Sequence, residues 1–279
     1  MHLARTSRRL ALLVGLGGAA LSTMTGSALA TSNCSYDASF HRVNVYDSSG
    51  TANDLEVTRK GQYIVVRDGD TGTVSYCSSY NGVATVNNTD KVIVDGNAGA
   101  YDGFVIDEAE GELGPGWTPE ADGKSEIEVV FRNANVNPLH VDVYGSPAKD
   151  AIRFSGRNQV MFGWDADVDA WTVNKVDNTP ITTRFGATGR GGDDWLSADG
   201  GSTSSTPPTT MPAMLMGDEG DDWINGSTST GGDMLYGYED NDIIYANDGG
   251  QDFVYGGTGT DQAVVDNLDY IKDVEKTVK

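Results

Sequence analysis

Apolar residues recur in lines of nine residues between Gly186 and Val264, with short offsets between some lines, on a background rich in glycine and aspartate. In each nine-residue line the sixth position is aspartate and the eighth position is apolar. The lines are 189–197, 217–225, 228–236, 237–245, 247–255 and 256–264. Their eighth residues are Leu196, Ile224, Leu235, Ile244, Val254 and Ala263. A strand of three residues after a glycine-rich turn directs the eighth side chain into a core. A fixed period of this kind predicts stacked parallel strands in a β-roll.

The earlier part of the chain also has the pattern of strands. Short β-branched or aromatic runs occupy 43–46, 63–66, 92–94, 104–106 and 127–131. Asn, Asp and Gly separate these runs, and no window has the period of an amphipathic helix. The sequence therefore predicts an all-β protein. The predicted architecture is a right-handed parallel β-roll or β-helix solenoid, whose C-terminal half carries calcium-binding nonapeptide turns.

Where this solenoid begins is open. Several earlier segments repeat the order of aspartate, any residue and an apolar residue, as in Asp150-Ala151-Ile152. That similarity favours coils that begin well before Gly186. The alternative is a separate small β-sandwich from Thr31 to about Tyr80.

The sixth-position aspartates are the candidate metal ligands. A carboxylate is a hard anionic donor, and Ca²⁺ takes six to eight oxygen ligands. One turn cannot surround an ion, so the next turn on the same side must complete the site. Two lines make one coil, which places Asp233 over Asp252 and Asp242 between Asp222 and Asp261. The candidate ligands are Asp194, Asp222, Asp233, Asp242, Asp252 and Asp261.

The last line, GGTGTDQAV, has every glycine of the motif G-G-x-G-x-D, and the other lines are degenerate copies. This region resembles the RTX, or haemolysin-type, calcium-binding repeats of secreted bacterial proteins. The resemblance covers 217–264 with an outlying copy at Gly189, and it implies that several calcium ions bind. Arg190, Tyr238 and Asn247 stand where the family prefers glycine. An acidic, glycine-rich turn region without metal is the alternative interpretation.

The first thirty residues have the pattern of a secretory signal peptide. Arg5, Arg8 and Arg9 precede an apolar run, and Ala28-Leu29-Ala30 fits a cleavage site. We therefore expect a secreted, extracellular protein with no membrane insertion. The predicted division is a signal peptide (1–30), an N-terminal β-region (31–185), a calcium-binding roll (186–266) and a C-terminal cap (267–279).

The charge of the chain limits the classes of molecule that it is expected to bind. There are 41 acidic and 19 basic residues, with a formal net charge of −22. This balance argues against nucleic acid, whose phosphates require Lys and Arg. Between 186 and 266 the single basic residue is Arg190. Repulsion among so many carboxylates predicts that calcium binding is coupled to the folding of this segment.

The chain has two cysteines, Cys34 and Cys77. An even number of cysteines in an exported protein predicts a disulfide between them.

Motifs for catalysis are missing from the sequence. Neither H-E-x-x-H nor G-x-S-x-G occurs, which removes the zinc protease and the lipase that such motifs indicate. The single enzymatic hint is the group of Lys149, Arg153 and Arg157, which would suit a β-helix polysaccharide lyase. The prediction is a non-catalytic protein that presents an adhesive surface to an extracellular polysaccharide or protein.

Aromatic residues at the seventh and ninth positions give a third possibility, a carbohydrate-binding module. These positions flank the buried eighth position and are expected to form exposed ladders. The seventh positions hold Trp195, Trp223, Met234, Ile243 and Phe253, and the ninth hold Tyr236, Tyr245 and Tyr255.

Overall fold

The described part of the protein is built from β-strands. The computed structural model describes residues 32–47, 54–69, 71–96, 103–119, 127–133, 139–156, 159–162, 170–174, 182–199 and 208–279. The predicted signal peptide lies outside these residues. Within them the chain forms 24 strands and no helix. In this described part, no helix has the length and apolar character needed to cross a membrane. The predicted all-β class is confirmed.

Seven strands precede residue 84. They are β1 (Ser32–Asp37), β2 (Arg42–Asp47), β3 (Asp54–Lys60), β4 (Tyr63–Asp68), β5 (Val74–Tyr76), β6 (Ser78–Ser79) and β7 (Gly82–Val83). The central strands are β8 (Lys91–Asp95), β9 (Gly103–Asp107), β10 (Glu128–Asn133), β11 (Leu139–Tyr144), β12 (Ala151–Ser155), β13 (Gln159–Phe162) and β14 (Ala170–Asn174). The predicted runs in this half lie in β2, β4, β8, β9 and β10, except that Ile127 directly precedes β10.

The C-terminal strands carry the repeat. They are β15 (Thr182–Gly191), β16 (Trp195–Ser197), β17 (Ala213–Glu219), β18 (Trp223–Asn225), β19 (Met234–Glu239), β20 (Ile243–Ala246), β21 (Phe253–Thr258), β22 (Gln262–Val265), β23 (Tyr270–Lys272) and β24 (Lys276–Val278).

Successive strands of the repeat alternate between two large sheets. From β15 onward, odd-numbered strands belong to a ten-stranded sheet and even-numbered strands to a fourteen-stranded sheet. Each strand pairs in parallel with the strand two places further along, so Trp223 faces Ile243 and Met234 faces Phe253. We call two successive strands, one in each sheet, a rung. The rungs that begin at Trp223, Met234 and Ile243 take 19 or 20 residues, about two nine-residue lines plus a bulge. The last strands, β23 and β24, follow their partners after 17 and 14 residues.

Parallel pairing begins well before the repeat. In the ten-stranded sheet β3, β9, β11 and β15 pair in parallel, and in the fourteen-stranded sheet β2, β8, β10 and β14 do so. Both halves of the chain therefore contribute to the same two sheets. The antiparallel strands β12, β13 and β14 interrupt this pattern in the fourteen-stranded sheet.

Apolar side chains fill the space between the two sheets. All six eighth-position residues are fully buried, as the period predicts. They belong to one hydrophobic cluster that extends from Tyr36 to Val265. Stacked rings continue the cluster through the earlier rungs, with the centroids of Phe104 and Phe131 4.4 Å apart and those of Phe154 and Phe185 4.5 Å apart.

The two ends of the sheets differ in construction. At the N-terminal end β1 pairs antiparallel with β2, and β3, β4 and β5 form an antiparallel meander. Cys34 and Cys77 form a disulfide there, with Cα atoms 4.9 Å apart, which joins β1 to the link between β5 and β6. At the C-terminal end, 267–279 supply the last strand of each sheet, β23 and β24.

Candidate metal centre

The predicted ligands lie where the turns enter the strands, in two columns. Each sixth-position aspartate directly precedes a strand, so in-register pairing of the strands stacks the aspartates. The first column holds Asp194, Asp222, Asp242 and Asp261, beside β16, β18, β20 and β22. The second column holds Asp233 and Asp252, beside β19 and β21. This is the stacking order that the sequence predicts.

Hydrogen bonds connect the members of each column. The backbone N–H of Asp194 donates to Oδ1 of Asp222 at 2.8 Å, and the N–H of Asp222 donates to Oδ1 of Asp242 at 2.9 Å. Asp242 donates in the same way to Asp261 at 3.0 Å, and Asp233 donates to Asp252 at 2.7 Å. One oxygen of each of these accepting carboxylates is therefore fixed by the N–H of the preceding turn.

The second oxygen of most of these carboxylates has no such bond. The six aspartates are 0–2% exposed. In five of them Oδ2 is buried and has no hydrogen-bond partner among the described residues: Asp194, Asp222, Asp242, Asp252 and Asp261. Buried polar atoms in folded proteins almost always have a partner, and an unpaired carboxylate oxygen is among the most costly to bury. The arrangement is therefore suited to a cation or a proton at each Oδ2.

The pKa values of these carboxylates also indicate that each site favours a bound proton or cation. Burial raises the pKa of Asp194 and of Asp242 to about 8, and the pKa of Asp222 and of Asp252 to about 7. The bond from the neighbouring N–H lowers each pKa, while nearby carboxylates raise it. Burial likewise raises the pKa of Asp233. A divalent cation would favour the ionised form and reverse this shift.

The turns have the positive φ angles typical of glycine even where another residue replaces glycine. Arg190, Asp218 and Tyr238, at the second position of their lines, have φ values of 80°, 79° and 86°. Asp240, at a fourth position, has a φ of 75°. Such a conformation in a residue other than glycine costs on the order of 1–3 kcal/mol and persists only where the surroundings impose it. The degenerate lines therefore retain the turn, although their side chains differ.

First-position glycines bring the backbone close to the carboxylates. A Cβ atom added to Gly217 or Gly237 would collide with Oδ2 of the aspartate of the same line. For Asp233 the corresponding residue is Gly226, two residues before the line that the sequence assigns. The turn is longer here, because Asp233 follows Gly226 by seven residues, whereas Asp222 follows Gly217 by five.

The second column contains a carboxylate that sequence reasoning missed. Asp233, Asp248 and Asp252 each place one carboxylate oxygen so that all three lie within 4.8 Å of one another. Asp248 is the second residue of its line. Its Oδ1 accepts the N–H of Gly250 at 2.7 Å, and its Oδ2 is buried with no partner in the described part of the chain. The three donors are all hard oxygens, which fit Ca²⁺ or Mg²⁺ better than softer metals.

Carboxylates outside the predicted set extend both columns. The N–H of Asp150 donates to Oδ1 of Asp194 at 2.7 Å, which adds one turn before the first predicted line. At the other end, Asp252 donates to Asp269 at 3.1 Å and Asp261 donates to Glu275 at 2.8 Å. The signal for Asp150 was present in the sequence, since it is sixth in GSPAKDAIR, which begins with glycine and has Ile152 at the eighth position.

The expectation of exposed aromatic ladders is wrong for the rings. Trp195, Trp223, Tyr236, Phe253 and Tyr255 are all partly buried. Rings on neighbouring rungs cover one another, with centroids 5.2 Å apart for Trp195 and Trp223 and 5.6 Å apart for Tyr236 and Phe253. Strands about 4.8 Å apart bring in-register rings into contact, so much of each ring is hidden. Of the seventh-position residues, the exposed ones are Met234 and Ile243.

One further expectation changes with the structure. Arg153 is 1% exposed, and its guanidinium lies 5.6 Å from the ring centre of Trp195, so it does not form an exposed basic group with Lys149. Arg157 lies outside the described residues.

No protein-family model, curated protein or solved structure matches this chain.

Proposed function

We propose that this chain is a secreted, non-catalytic calcium-binding protein. Its C-terminal rungs are proposed to wind as a right-handed parallel β-roll of the RTX type, with ions held between successive turns. Calcium binding is then coupled to the folding of 186–266, so removal of calcium lowers the stability of this segment. The biological role we propose is the presentation of a calcium-dependent surface to an extracellular polysaccharide or protein.

The observation that carries this proposal is the first column of buried carboxylates. In Asp222, Asp242 and Asp261, one oxygen accepts an N–H of the preceding turn, and the other oxygen has no hydrogen-bond partner among the described residues. If all of them were ionised without a counterion, like charges would face each other in a medium that screens them weakly. A shared divalent cation between neighbouring turns would remove that cost. It would also bring in the backbone carbonyls that glycine-rich turns can direct inward.

Calcium is the cation that this donor set favours. Turns that differ in length, as those at Asp233 and Asp242 do, offer an irregular arrangement of oxygens. Ca²⁺ accepts six to eight ligands in flexible geometry, whereas Mg²⁺ requires a near-octahedral set and keeps its waters. The predicted signal peptide would also deliver the chain to a calcium-rich exterior.

Calorimetric titration of chelator-treated protein with calcium, with circular dichroism recorded in parallel, tests the proposal. We expect several ions to bind and the β signal of 186–264 to return cooperatively. The Asp233→Ala/Asp252→Ala double variant should bind roughly one ion fewer, because both aspartates belong to one site. A double variant with unchanged ion stoichiometry would refute the ligand assignment. Chelated protein that keeps its spectrum and its protease resistance throughout 186–264 would refute a structural metal.

A further inference from the structure

The turn at 145–150 is a member of the first column. Gly145 is first and Asp150 is sixth, as in the later lines, and the N–H of Asp150 donates to Asp194. A Cβ atom on Gly145 would lie 2.5 Å from Oδ2 of Asp150, which repeats the close approach of Gly217 to Asp222. The backbone therefore forms the same kind of turn one rung earlier.

The oxygens of this turn, however, already have partners in the protein. The N–H of Ser146 donates to Oδ2 of Asp150 at 2.7 Å, and the Ser146 hydroxyl lies 3.1 Å from Oδ1 and 3.2 Å from Oδ2. Asp150 thus differs from Asp194 and Asp222, whose Oδ2 atoms have no partner among the described residues. Ser227 bonds both oxygens of Asp233 in the same way, so the serine alone does not distinguish this turn from the proposed metal-binding turns.

A positive charge is also present at this turn. Arg190 lies at the second position of the next line, in the left-handed conformation with φ of 80°. Its Nη1 donates to the carbonyl of Gly145 at 2.7 Å and pairs with Oδ1 of Asp107 at 2.7 Å. Its guanidinium lies 5.4 Å from the ring centre of Tyr144. The residue that pairs in register with Arg190 one rung later is Asp218. The positively charged side chain is therefore present at this turn and is replaced by a carboxylate at the next.

We propose that the guanidinium of Arg190 occupies the cation position between the turn 145–150 and the turn 189–194. This interval then needs no metal, and the column of ions begins between Asp194 and Asp222. The inference rests on the proposed calcium function and specifies where the ion-dependent part of the fold starts. Rungs up to 189–194 are held by the protein's own charges, and later rungs require added cations.

The choice of residue fits this role. A guanidinium is always charged and offers several N–H donors, so it can bond a carbonyl and a carboxylate together. The first-position carbonyl and the sixth-position carboxylate are the groups that would face a metal ion in the later turns. Arg190 binds the first-position carbonyl, that of Gly145, and Ser146 binds the sixth-position carboxylate, that of Asp150.

Calorimetric counting of bound calcium in the full chain tests the inference. The Arg190→Gly/Ser146→Gly variant restores a glycine-rich turn and exposes the oxygens of Gly145 and Asp150. We expect it to bind one calcium ion more than the wild type. Arg190→Lys, which keeps a cation, should bind the wild-type number. Arg184→Gln is the matched control, because it removes an equal charge from the same strand outside the turn and should also leave the number unchanged.

Hydrogen exchange of the wild type in chelator gives a second measurement that needs no variant. The amides of Gly145 and Asp150 should stay protected, while those of Asp222 and Asp242 should lose protection. If the glycine variant folds and binds no additional ion, or if all four amides lose protection together, the inference is wrong while the proposed function stands. If the wild type binds no calcium at all, the proposed function fails and this inference fails with it.

Discussion

Replacing Asp222 with asparagine should change stability in opposite directions with and without calcium. Asp222 is 2% exposed in the middle of the first column. Its Oδ1 accepts the N–H of Asp194, and its Oδ2 has no hydrogen-bond partner within the described ranges. Asparagine has nearly the same shape and can keep the bond through its carbonyl oxygen, but it carries no charge. The substitution therefore tests the effect of the negative charge alone.

The size of the effect follows from the pKa of Asp222, which burial raises from 3.8 to about 7. One pKa unit corresponds to about 1.4 kcal/mol, so the ionised carboxylate costs on the order of 4 kcal/mol in the metal-free fold at pH 8. Because the folded state holds the proton more tightly than the unfolded state, the free energy of unfolding falls as the pH rises from about 4 to about 7. In chelator at pH 8, Asp222→Asn should consequently stabilise the protein.

With saturating calcium the sign should reverse. The variant loses an anionic oxygen from the proposed site, so it binds calcium less tightly and gains less stability from it. The wild type should then be the more stable protein at pH 8, and calcium should remove most of its loss of stability above pH 5.

Urea unfolding at pH 5 and pH 8, in chelator and in calcium, measures both effects by circular dichroism and tryptophan fluorescence. Asp193→Asn is the matched control, because it removes a charge one residue from Asp194 at an exposed position and should change stability little. The reasoning fails if Asp222→Asn destabilises the chelated protein at pH 8. It also fails if the chelated wild type is more stable at pH 8 than at pH 5.

Three more predictions follow from other parts of the fold. Reduction of the disulfide between Cys34 and Cys77 should lower the free energy of unfolding by about 4 kcal/mol without changing the number of calcium ions, as measured by denaturation and calorimetry; equal stability of both forms would contradict it. Asp248→Asn should weaken one calcium site by about tenfold or more in titration, because ligand charge sets affinity; unchanged isotherms would remove Asp248 from the site. Gly220→Ala should cost about 1–3 kcal/mol more than Gly249→Ala in thermal unfolding. Both glycines have positive φ, but only at Gly220 would a Cβ atom meet backbone, that of Gly192; equal costs would contradict the predicted contact.

The period of nine predicted the repeat region in detail, because one rule fixes both the buried residue and the position of the aspartate. It placed Leu235 and Val254 in the core and Asp233 beside Asp252. It could not identify Asp248, since a second-position residue reaches the site only through the particular shape of its turn. Nor could it show that Ser146 and Arg190 satisfy the oxygens of the preceding turn, because neither occupies the sixth position.

In the earlier half, the positions of several strands could be predicted from the sequence, but the pairing of those strands into sheets could not. Runs such as 43–46 and 104–106 are evident from composition, whereas their neighbours depend on turns without a fixed length. The antiparallel β12, β13 and β14 have no periodic signal. The aromatic positions were assigned to the correct side of each strand. Their exposure was misjudged for Trp195 and Trp223, because a period describes one strand and ring-on-ring covering depends on its neighbours.

The alternation of strands between two sheets limits how this chain can change its length. Removing or duplicating 19 or 20 residues, such as the stretch from Ile243 to Asp261, would delete or add a complete rung and leave every later residue on its own sheet and column. Removing nine residues would instead move each later strand to the opposite sheet and each later aspartate to the opposite column, away from its hydrogen-bonding neighbours. The unit of insertion and deletion in this half is therefore a pair of lines, and lengthening by whole pairs should add capacity for ions in proportion.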